Sequence, residues 1–457
     1  MTATRWITLA VVSAATAMLL LDVTVVYVAL PAVQDDLDAT FSELQWVIDA
    51  YTVTLAATLL SAGALADRLG RRRLFIGGLL LFTACSALCG LAPTPLVLDL
   101  ARAAQGVGAA AMFAASLALL AHGFQGDDRG FALGVWGAVT GTALAAGPLI
   151  GGLVVDGLSW RWIFLVNVPL GLALVALTLR AVPESRNARA AALDLPGMVT
   201  FGTAAALLVV GLIRGNEDGW GSVHVIAALA GAALLTAVFV VVERRTEHPM
   251  LPLGLFAIPA FSGTALVAFA QSVAIYPLLL FLAIYLQDVL ALTPTGTGLR
   301  LLPMTLAIFV VAPFAGRLTG RLPLRVPLCT GLALFGCALL LMHGIEPGDE
   351  WTALLPGMLV GGAAVGLISP SLAAAMVAVL PVERSGLSSG INNTFRQLGI
   401  AIGIAGLGAI FHRKARNREL SVIDGLNDVV LVAAAVALVA GALAWPLLGA
   451  QRSATTT

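Results

Sequence analysis

Charged residues are scarce in this chain of 457 residues, at 11% of the total, whereas a soluble protein carries about a quarter. Hydrophobic residues make up 59%, and the mean hydropathy is +0.97. These values exclude an ordinary soluble protein. Fourteen spanning helices of about 20 residues would use about 300 positions, and the remainder is too short to supply a soluble domain of useful size.

Patterns that bind metals or nucleotides are also scarce. Cys85, Cys89, Cys329 and Cys337 all fall inside apolar runs, and no histidine or acid shares the face of Cys85 and Cys89, which disfavours a metal site. No G-x-x-x-x-G-K-[ST] run occurs. We therefore expect no cofactor, no bound nucleotide and no nucleic-acid partner. An integral-membrane enzyme would need clustered histidine, aspartate or serine at a membrane face, and no such cluster is visible.

The apolar runs, bounded by charge, proline and glycine, predict an all-α polytopic membrane protein with 14 transmembrane helices. Its N-terminal apolar run is too long for a signal peptide and is interpreted as an uncleaved first helix. The predicted helices are residues 7–30, 44–66, 74–92, 96–120, 131–155, 161–180, 195–214, 223–242, 260–286, 299–318, 325–343, 352–380, 389–411 and 428–449.

A short loop dense in arginine, GALADRLGRRRLF at residues 63–75, joins the second and third predicted helices. Short loops rich in Lys and Arg stay on the cytoplasmic side, so this loop sets the orientation with both termini cytoplasmic. Gly63 and Asp67 share a helix face, where the glycine would admit a neighbouring helix and the carboxylate could latch onto that helix's N-terminus. The alternative is a loop of solvated charges that only fixes topology.

An internal repeat appears when the chain is shifted by about 254 residues. Gly63-x-Leu65-x-x-Arg68-Leu69 then lies over Gly316-x-Leu318-x-x-Arg321-Leu322, with Gly320 in the place of Asp67. The repeat predicts a six-helix bundle at 1–190, a linker pair of helices 7 and 8 at 191–256, and a second six-helix bundle at 257–457. Two such bundles suit a secondary transporter with its substrate site between the halves, near the membrane midplane.

Asp22 and Arg102 are charged residues within predicted helices of the first half, where charge is expensive. Asp22 in LLLDVTVVYVALP must be paired, face the protein interior or take up a proton, and we expect it to carry protons. Arg102 in RAAQGVGAA is the candidate counter-charge. Two alternatives stay open: a permanent salt bridge of Asp22 that only packs helices, and a local pair of Arg102 with Asp99.

Other polar residues mark candidate sites for a ligand. Asp49 in QWVIDAYTVTL has Trp46 one turn away, a suitable contact for a greasy cation, although both residues could equally be interfacial. The thirteenth helix begins SGLSSGINNTFRQLGIAIG, so Asn392, Asn393 and Arg396 favour a role in the substrate cavity or in the latch with Asp67 over plain packing.

The fifth predicted helix, GAVTGTALAAGPLIGGLVV, is rich in glycine and contains a proline. Gly147 and Gly151 are four residues apart and favour close helix packing, and Pro148 bends the helix by removing the bond to the carbonyl of Leu144. A kinked, glycine-faced helix suits an interface that opens and closes. A static packing seam is the alternative.

These motifs, together with SWRWIFLVNVPLG, resemble the signatures of the fourteen-helix drug:proton antiporter branch of the major facilitator superfamily over nearly the whole chain. The resemblance implies the major facilitator fold and export of lipophilic, often cationic compounds, including antiseptics, dyes and antibiotics, in exchange for protons across the cytoplasmic (inner) membrane. We expect the protein to be a monomer. The resemblance implies proton coupling at Asp22 and Arg102, to which Asp49 is added from its own position. It also implies gating at Gly63, Asp67, Arg68, Gly70 and Arg71, and antiport geometry at Gly147, Pro148, Gly151 and Gly152.

One position departs from the family pattern. Five residues after the first-helix acid the family usually has asparagine, and this chain has Tyr27. A phenol there would narrow the substrate cavity, which favours the alternative of a dedicated exporter of one endogenous metabolite. An uptake symporter is disfavoured, because the glycine-proline motif of the fifth helix would then have no role.

Overall fold

A computed structural model describes residues 3–124, 127–185, 194–319, 322–379, 385–411 and 418–449. These residues are mostly helical and form no β-strand. The fourteen helices are α1 Ala3–Leu37, α2 Phe41–Leu69, α3 Arg71–Gly90, α4 Pro95–Gly123, α5 Asp127–Gly157, α6 Trp162–Ala181, α7 Leu195–Glu217, α8 Val223–Arg245, α9 Pro259–Ile284, α10 Pro294–Thr319, α11 Arg325–Leu340, α12 Leu355–Ala378, α13 Ser385–Phe411 and α14 Arg418–Gly449.

The lengths and hydropathy of these helices suit a bilayer. In the described part of the chain, twelve helices are long and apolar enough to cross a membrane, and two shorter apolar helices, Ala146–Gly157 and Arg325–Leu340, fall in α5 and α11. The predicted all-helical polytopic architecture is confirmed. The protein is therefore a multi-span membrane protein.

The predicted end of the first helix at Leu30 is wrong. Helix α1 continues through Pro31 to Leu37. Proline removes one backbone hydrogen bond, but membrane helices tolerate that loss because neighbouring groups and small local adjustments satisfy the freed carbonyl. Proline is therefore a weak stop signal in a membrane helix.

Local sequence explains several helix ends. Thr40 and Glu43 form a reciprocal capping box at the start of α2, in which the backbone N–H of Thr40 donates to Oε2 of Glu43 at 2.8 Å. Pro95 opens α4 beside the Thr94 cap, where a missing N–H is harmless. Gly70 separates α2 from α3 at a φ of +108°, a backbone conformation that favours glycine.

One compact unit comprises Met1–Ala206 and Ala233–Leu251 and is called unit 1. Inside it α4 packs on α2 and α3, α1 packs on α5, and α6 packs on α3 and α1. Glycines make these seams close: a Cβ at Gly106 would collide with Thr54 and with the carbonyl of Tyr51, and one at Gly108 would lie 2.7 Å from the amide nitrogen of Phe82. Helix α4 is thereby held deep against both neighbours.

The other compact unit, unit 2, comprises Leu207–Ala232 and Pro252–Thr457. Inside it α12 packs on α10 and α11, α9 packs on α13, and α14 packs on α11 and α9. Glycine seams recur, since a Cβ at Gly403 would lie 2.7 Å from the carbonyl oxygen of Val273. These pairs correspond to the pairs of unit 1 when α9 is matched to α1, α10 to α2, and so on to α14 and α6.

Candidate functional site

The side chain of Asp22 lies in the interior of unit 1, paired with Arg102. Asp22 comes from α1 and Arg102 from α4, and their side chains are 0% and 1% exposed. Nη1 of Arg102 donates to Oδ2 of Asp22. The second oxygen, Oδ1, accepts from Nε2 of Gln105 at 3.0 Å and from Nδ2 of Asn167 at 3.1 Å. Both oxygens of the carboxylate are therefore satisfied by donors from α4 and α6.

Arg102 is held from three further directions. Its Nε donates to the carbonyl oxygen of Val47 in α2 at 3.0 Å, and its Nη1 donates to Oε1 of Gln105 at 2.8 Å. The guanidinium carbon lies 4.2 Å from the ring centroid of Tyr51. These contacts hold the guanidinium in addition to its pair with Asp22.

A break in α6 places the asparagine of this network. The helix consists of Trp162–Leu165 and Asn167–Ala181, which meet at Val166. Asn167 donates from Nδ2 to Oγ of Ser86 as well, at 3.0 Å, and Ser86 in turn donates to the carbonyl oxygen of Phe164 at 2.8 Å. Five helices, α1 to α4 and α6, thus supply the ion pair and its supporting hydrogen bonds.

This arrangement can exist in two protonation states. Since arginine keeps its proton, only Asp22 can gain one. Protonation would remove the charge attraction to Arg102 and replace an acceptor by a hydroxyl donor, so neighbouring donors would have to move. A proton on Asp22 would therefore change the hydrogen bonds that join α1, α4 and α6.

The structure does not contain the alternative local pair of Arg102 with Asp99. Arg102 turns to Asp22, while Oδ1 of Asp99 is buried and has no hydrogen-bond partner in the part of the chain described. Cross-helix pairing with Asp22 therefore prevails over the neighbour three residues away.

Asp49 occupies an unusual environment. Its residue is 0% exposed, and across the described ranges neither carboxylate oxygen finds a hydrogen-bond partner. Asp49 thus faces the protein interior, and Trp46, one turn earlier, is half-buried. An interfacial depth for the two residues stays an open alternative. An ionised carboxylate without donors is costly inside a protein, and a proton or a cationic ligand on Asp49 would remove that cost.

The arginine-rich loop is tied down by a residue that the sequence interpretation missed. The carboxylate of Glu184, just after α6, accepts from the backbone N–H of Arg72 at 3.1 Å and of Arg73 at 3.3 Å, so it caps α3. Arg71 donates its N–H to the carbonyl oxygen of Ser185 at 2.9 Å. In the sequence, the only sign of this cap is one acid in an otherwise basic region, and that sign is weak.

Other predicted gating residues show a mixed picture. Gly63 was expected to admit a neighbouring helix, but no described atom lies within 4 Å of the position that a Cβ would take there. Arg68 is exposed, and the side chain of Asp67 lies outside the described residues. The latch from Asp67 to α13 thus remains a prediction.

Helix α5 meets α1 next to the ion pair. Gly147, Pro148, Gly151 and Gly152 are buried. A Cβ at Gly147 would collide with Oγ1 of Thr24, two residues from Asp22, and one at Gly151 would lie 3.0 Å from the carbonyl oxygen of Val25. Gly147 and Gly151 thus permit the close contact of α5 with α1.

Substitution of Gly147 tests this seam. We expect Gly147→Ala to lower the free energy of unfolding by about 1–3 kcal/mol, because the added methyl group overpacks the contact with Thr24. Thermal unfolding of the purified proteins measures it. Gly157→Ala in the same helix is the control, since nothing described lies within 4 Å of its Cβ position. Equal shifts in both variants would contradict a specific seam.

The candidate ligand residues of unit 2 lie on α13. Asn392 is fully buried, Asn393 is 8% exposed and Arg396 is half-buried. In unit 1, Tyr27 is 1% exposed. The phenol side chain of Tyr27 is thus buried inside unit 1.

A polytopic helical protein with a buried, fully hydrogen-bonded ion pair and glycine-lined helix seams has the construction of a membrane transporter. Residues 12–404 match the model of the Major Facilitator Superfamily. The chain belongs to that superfamily and is one of its membrane transporters.

Several of its relatives are named as resistance proteins. The chain is 39% identical to the multidrug resistance protein Stp of Mycobacterium tuberculosis (strain CDC 1551 / Oshkosh), over 90% of this chain and 76% of Stp. It is 37% identical to the puromycin resistance protein pur8 of Streptomyces alboniger, over 98% and 92%. It is 34% identical to the methylenomycin A resistance protein of Streptomyces coelicolor, over 96% and 92%.

Solved structures share the fold at low sequence identity. A POT family transporter crystallised with a thioalcohol-conjugated peptide gives a TM-score of 0.71 at 14% identity, covering 95% of this chain and 94% of that one. The human organic anion transporter MFSD10 gives 0.63 at 15% identity, covering 97% and 100%. These likenesses show the fold alone.

Proposed function

We propose that this protein exports lipophilic compounds across the cytoplasmic membrane in exchange for protons. The observation that carries the proposal is the buried ion pair of Asp22 and Arg102, in which one titratable group is tied by hydrogen bonds to several helices. The names of the relatives, which describe resistance to one or more drugs, support export as the direction.

In the proposed cycle, Asp22 binds a proton from the outer side and releases it to the cytoplasm. Loss of the charge on Asp22 loosens the pair with Arg102, and recharging restores it. Helix α5 slides or tilts against α1 at the Gly147 seam as the pair changes. Asp49 acts as a second proton carrier, or as the contact for the positive charge of lipophilic cations such as antiseptics and dyes.

The driving force is sufficient without a nucleotide or cofactor. Each proton supplies about 2.3 kcal/mol per 100 mV of membrane potential and about 1.4 kcal/mol per pH unit. A tenfold gradient of exported compound costs about 1.4 kcal/mol. We further propose that the protein is a monomer with both termini in the cytoplasm.

A second candidate is a dedicated exporter of one endogenous metabolite. The buried Tyr27, together with relatives named for resistance to single antibiotics, favours it. A panel of unrelated compounds separates the two, because a dedicated exporter would move one chemical scaffold and leave the others untouched.

The proposal is tested in proteoliposomes with an acidic lumen and the membrane potential clamped at zero by potassium and valinomycin. We expect ethidium, a permanently charged dye, to accumulate in the lumen while a trapped pH indicator reports alkalinisation. Nigericin should abolish both signals, and protein-free liposomes are the control. Dye movement in the same direction as the protons would indicate symport and refute the proposal.

A further inference from the structure

Buried acidic groups are unevenly divided between the two units. Among the described residues, the acids that are buried as whole residues are Asp22, Asp49, Asp194 and Glu243, and all of them belong to unit 1. Unit 2 has no acid buried as a whole residue in its described ranges. Its acids there are exposed, as Asp288 and Asp424 are, or half-buried, as Asp349 and Asp428 are. A cationic group within unit 2 would thus meet no fully buried acid among the residues described.

Instead of buried acids, unit 2 has buried uncharged polar side chains and a half-buried arginine on helix α13. Asn392, Thr394 and Gln397 are 0%, 2% and 6% exposed. Their side-chain oxygens, and Nε of Arg396, have no hydrogen-bond partner in the ranges that are described. Asn392, Asn393, Arg396 and Gln397 together cover about 140° of the helix circumference. We call Asn392, Asn393, Thr394, Arg396 and Gln397 the α13 cluster.

Neighbouring helices extend the polar character of this region. Gly399 and Gly403 seat α13 on α9, against the backbone of Phe269 and Val273. On α9, Gln271 donates from Nε2 to Oγ of Ser369 in α12 at 3.4 Å. Buried polar atoms without partners are rare in folded proteins because each is costly. So many on one helix require an explanation.

We propose that the α13 cluster binds the anionic or hydrogen-bond-accepting group of the exported compound, a carboxylate, phenolate, enolate or set of carbonyls. Arginine presents five donors in a planar fork that matches a carboxylate, and the hydroxyl of Thr394 can donate as well. The unpartnered amide oxygens of Asn392 and Gln397 accept hydrogen bonds, so they suit a donor group on the same compound. This inference rests on the proposed export function and specifies its substrate class. Lipophilic acids and carbonyl-rich compounds are preferred in unit 2 over simple cations.

A pair of dyes with one skeleton tests the inference. Fluorescein and rhodamine 123 share the xanthene ring system, but at neutral pH fluorescein is anionic with a free carboxylate and rhodamine 123 is a cationic ester. Binding to the purified full-length protein is measured by fluorescence polarisation. We expect Arg396→Gln to weaken fluorescein binding at least tenfold and to change rhodamine 123 binding less than twofold.

Two further variants keep the test decisive. Arg396→Lys retains the charge without the fork and should weaken fluorescein binding severalfold, and it replaces Arg396→Gln if that variant does not fold. Arg300→Gln removes another half-buried arginine of unit 2, outside the cluster, and should leave both dyes unchanged. Equal losses for both dyes, or a wild-type preference for rhodamine 123, would overturn the inference.

The outcome is separable from the proposed function. Proton-driven transport of dye with no effect of Arg396 would reject the α13 cluster and leave export intact. Charge-selective binding of fluorescein without proton-driven transport would support the cluster and reject antiport.

Discussion

Replacing Asp22 with asparagine is expected to lower proton-driven export at least a hundredfold. Asparagine keeps the size of the side chain and can still accept a hydrogen bond from Arg102, but it cannot bind and release a proton. Transport against a gradient should therefore stop, while dye equilibration down its own gradient persists. Flux in proteoliposomes, with and without an imposed pH gradient, measures both.

Stability separates this role from a purely structural one. Removing one partner of a buried ion pair leaves the other charge uncompensated and costs about 3–5 kcal/mol, whereas removing both is often near neutral. We expect Asp22→Asn to unfold at a lower temperature than wild type and the double variant Asp22→Asn/Arg102→Gln to recover much of that loss. If the pair only packs helices, the double variant should recover transport too.

Asp36 provides a matched control on the same helix. It forms an ion pair with Arg161 and accepts from Nε1 of Trp160, but its side chain is 45% exposed. Exposed pairs are worth about 0–1 kcal/mol. Asp36→Asn should therefore leave both coupling and stability nearly unchanged. If the Asp22→Asn variant kept full gradient-driven transport, Asp22 would be removed from the mechanism.

The sequence identifies the charged centre of unit 1 but only part of its surroundings. Asp22 and Arg102 stand out because charge inside an apolar helix is expensive and must have a use. Asn167 and Ser86 do not, since neutral polar residues are common in membrane helices and cost little when paired. Placing Asn167 also requires the break of α6 at Val166, which no simple periodicity predicts.

Glycine patterns show the same limit. Spacing predicts which residues share a helix face but not which helix that face meets. Gly147 meets α1 very closely, as a glycine-faced helix suggests, whereas Gly63 meets no described atom within 4 Å. The capping role of Glu184 could not be predicted without the fold, because the start of α3, which it caps, lies over a hundred residues earlier in the chain.

Replacing Asp49 with leucine is expected to lower proton-driven transport and at the same time to raise the stability of the protein. The carboxyl group is fully buried and, among the described residues, has no hydrogen-bond partner. Burying an unsatisfied polar group costs about 1–3 kcal/mol. Removing it should raise the unfolding temperature, provided that leucine fits the space. Proton-driven transport should fall at least tenfold.

Three comparisons make that expectation specific. Asp49→Asn keeps a polar group but cannot ionise, so it should lose transport without the gain in stability. Thr52→Val removes a buried hydroxyl that donates only to backbone carbonyls of its own helix, and it should retain transport. Ethidium binding should weaken in both Asp49 variants if the carboxylate contacts cations, and stay unchanged if it only carries protons.

The combination of outcomes decides why an unpartnered acid is retained in α2. A structural residue should lose stability when it is replaced, whereas a functional residue held in an unfavourable environment should gain it. Lower stability of Asp49→Leu with unchanged transport would contradict the assignment. Higher stability with lost transport would mean that the buried carboxyl group is kept because the transport cycle requires its charge to appear and disappear.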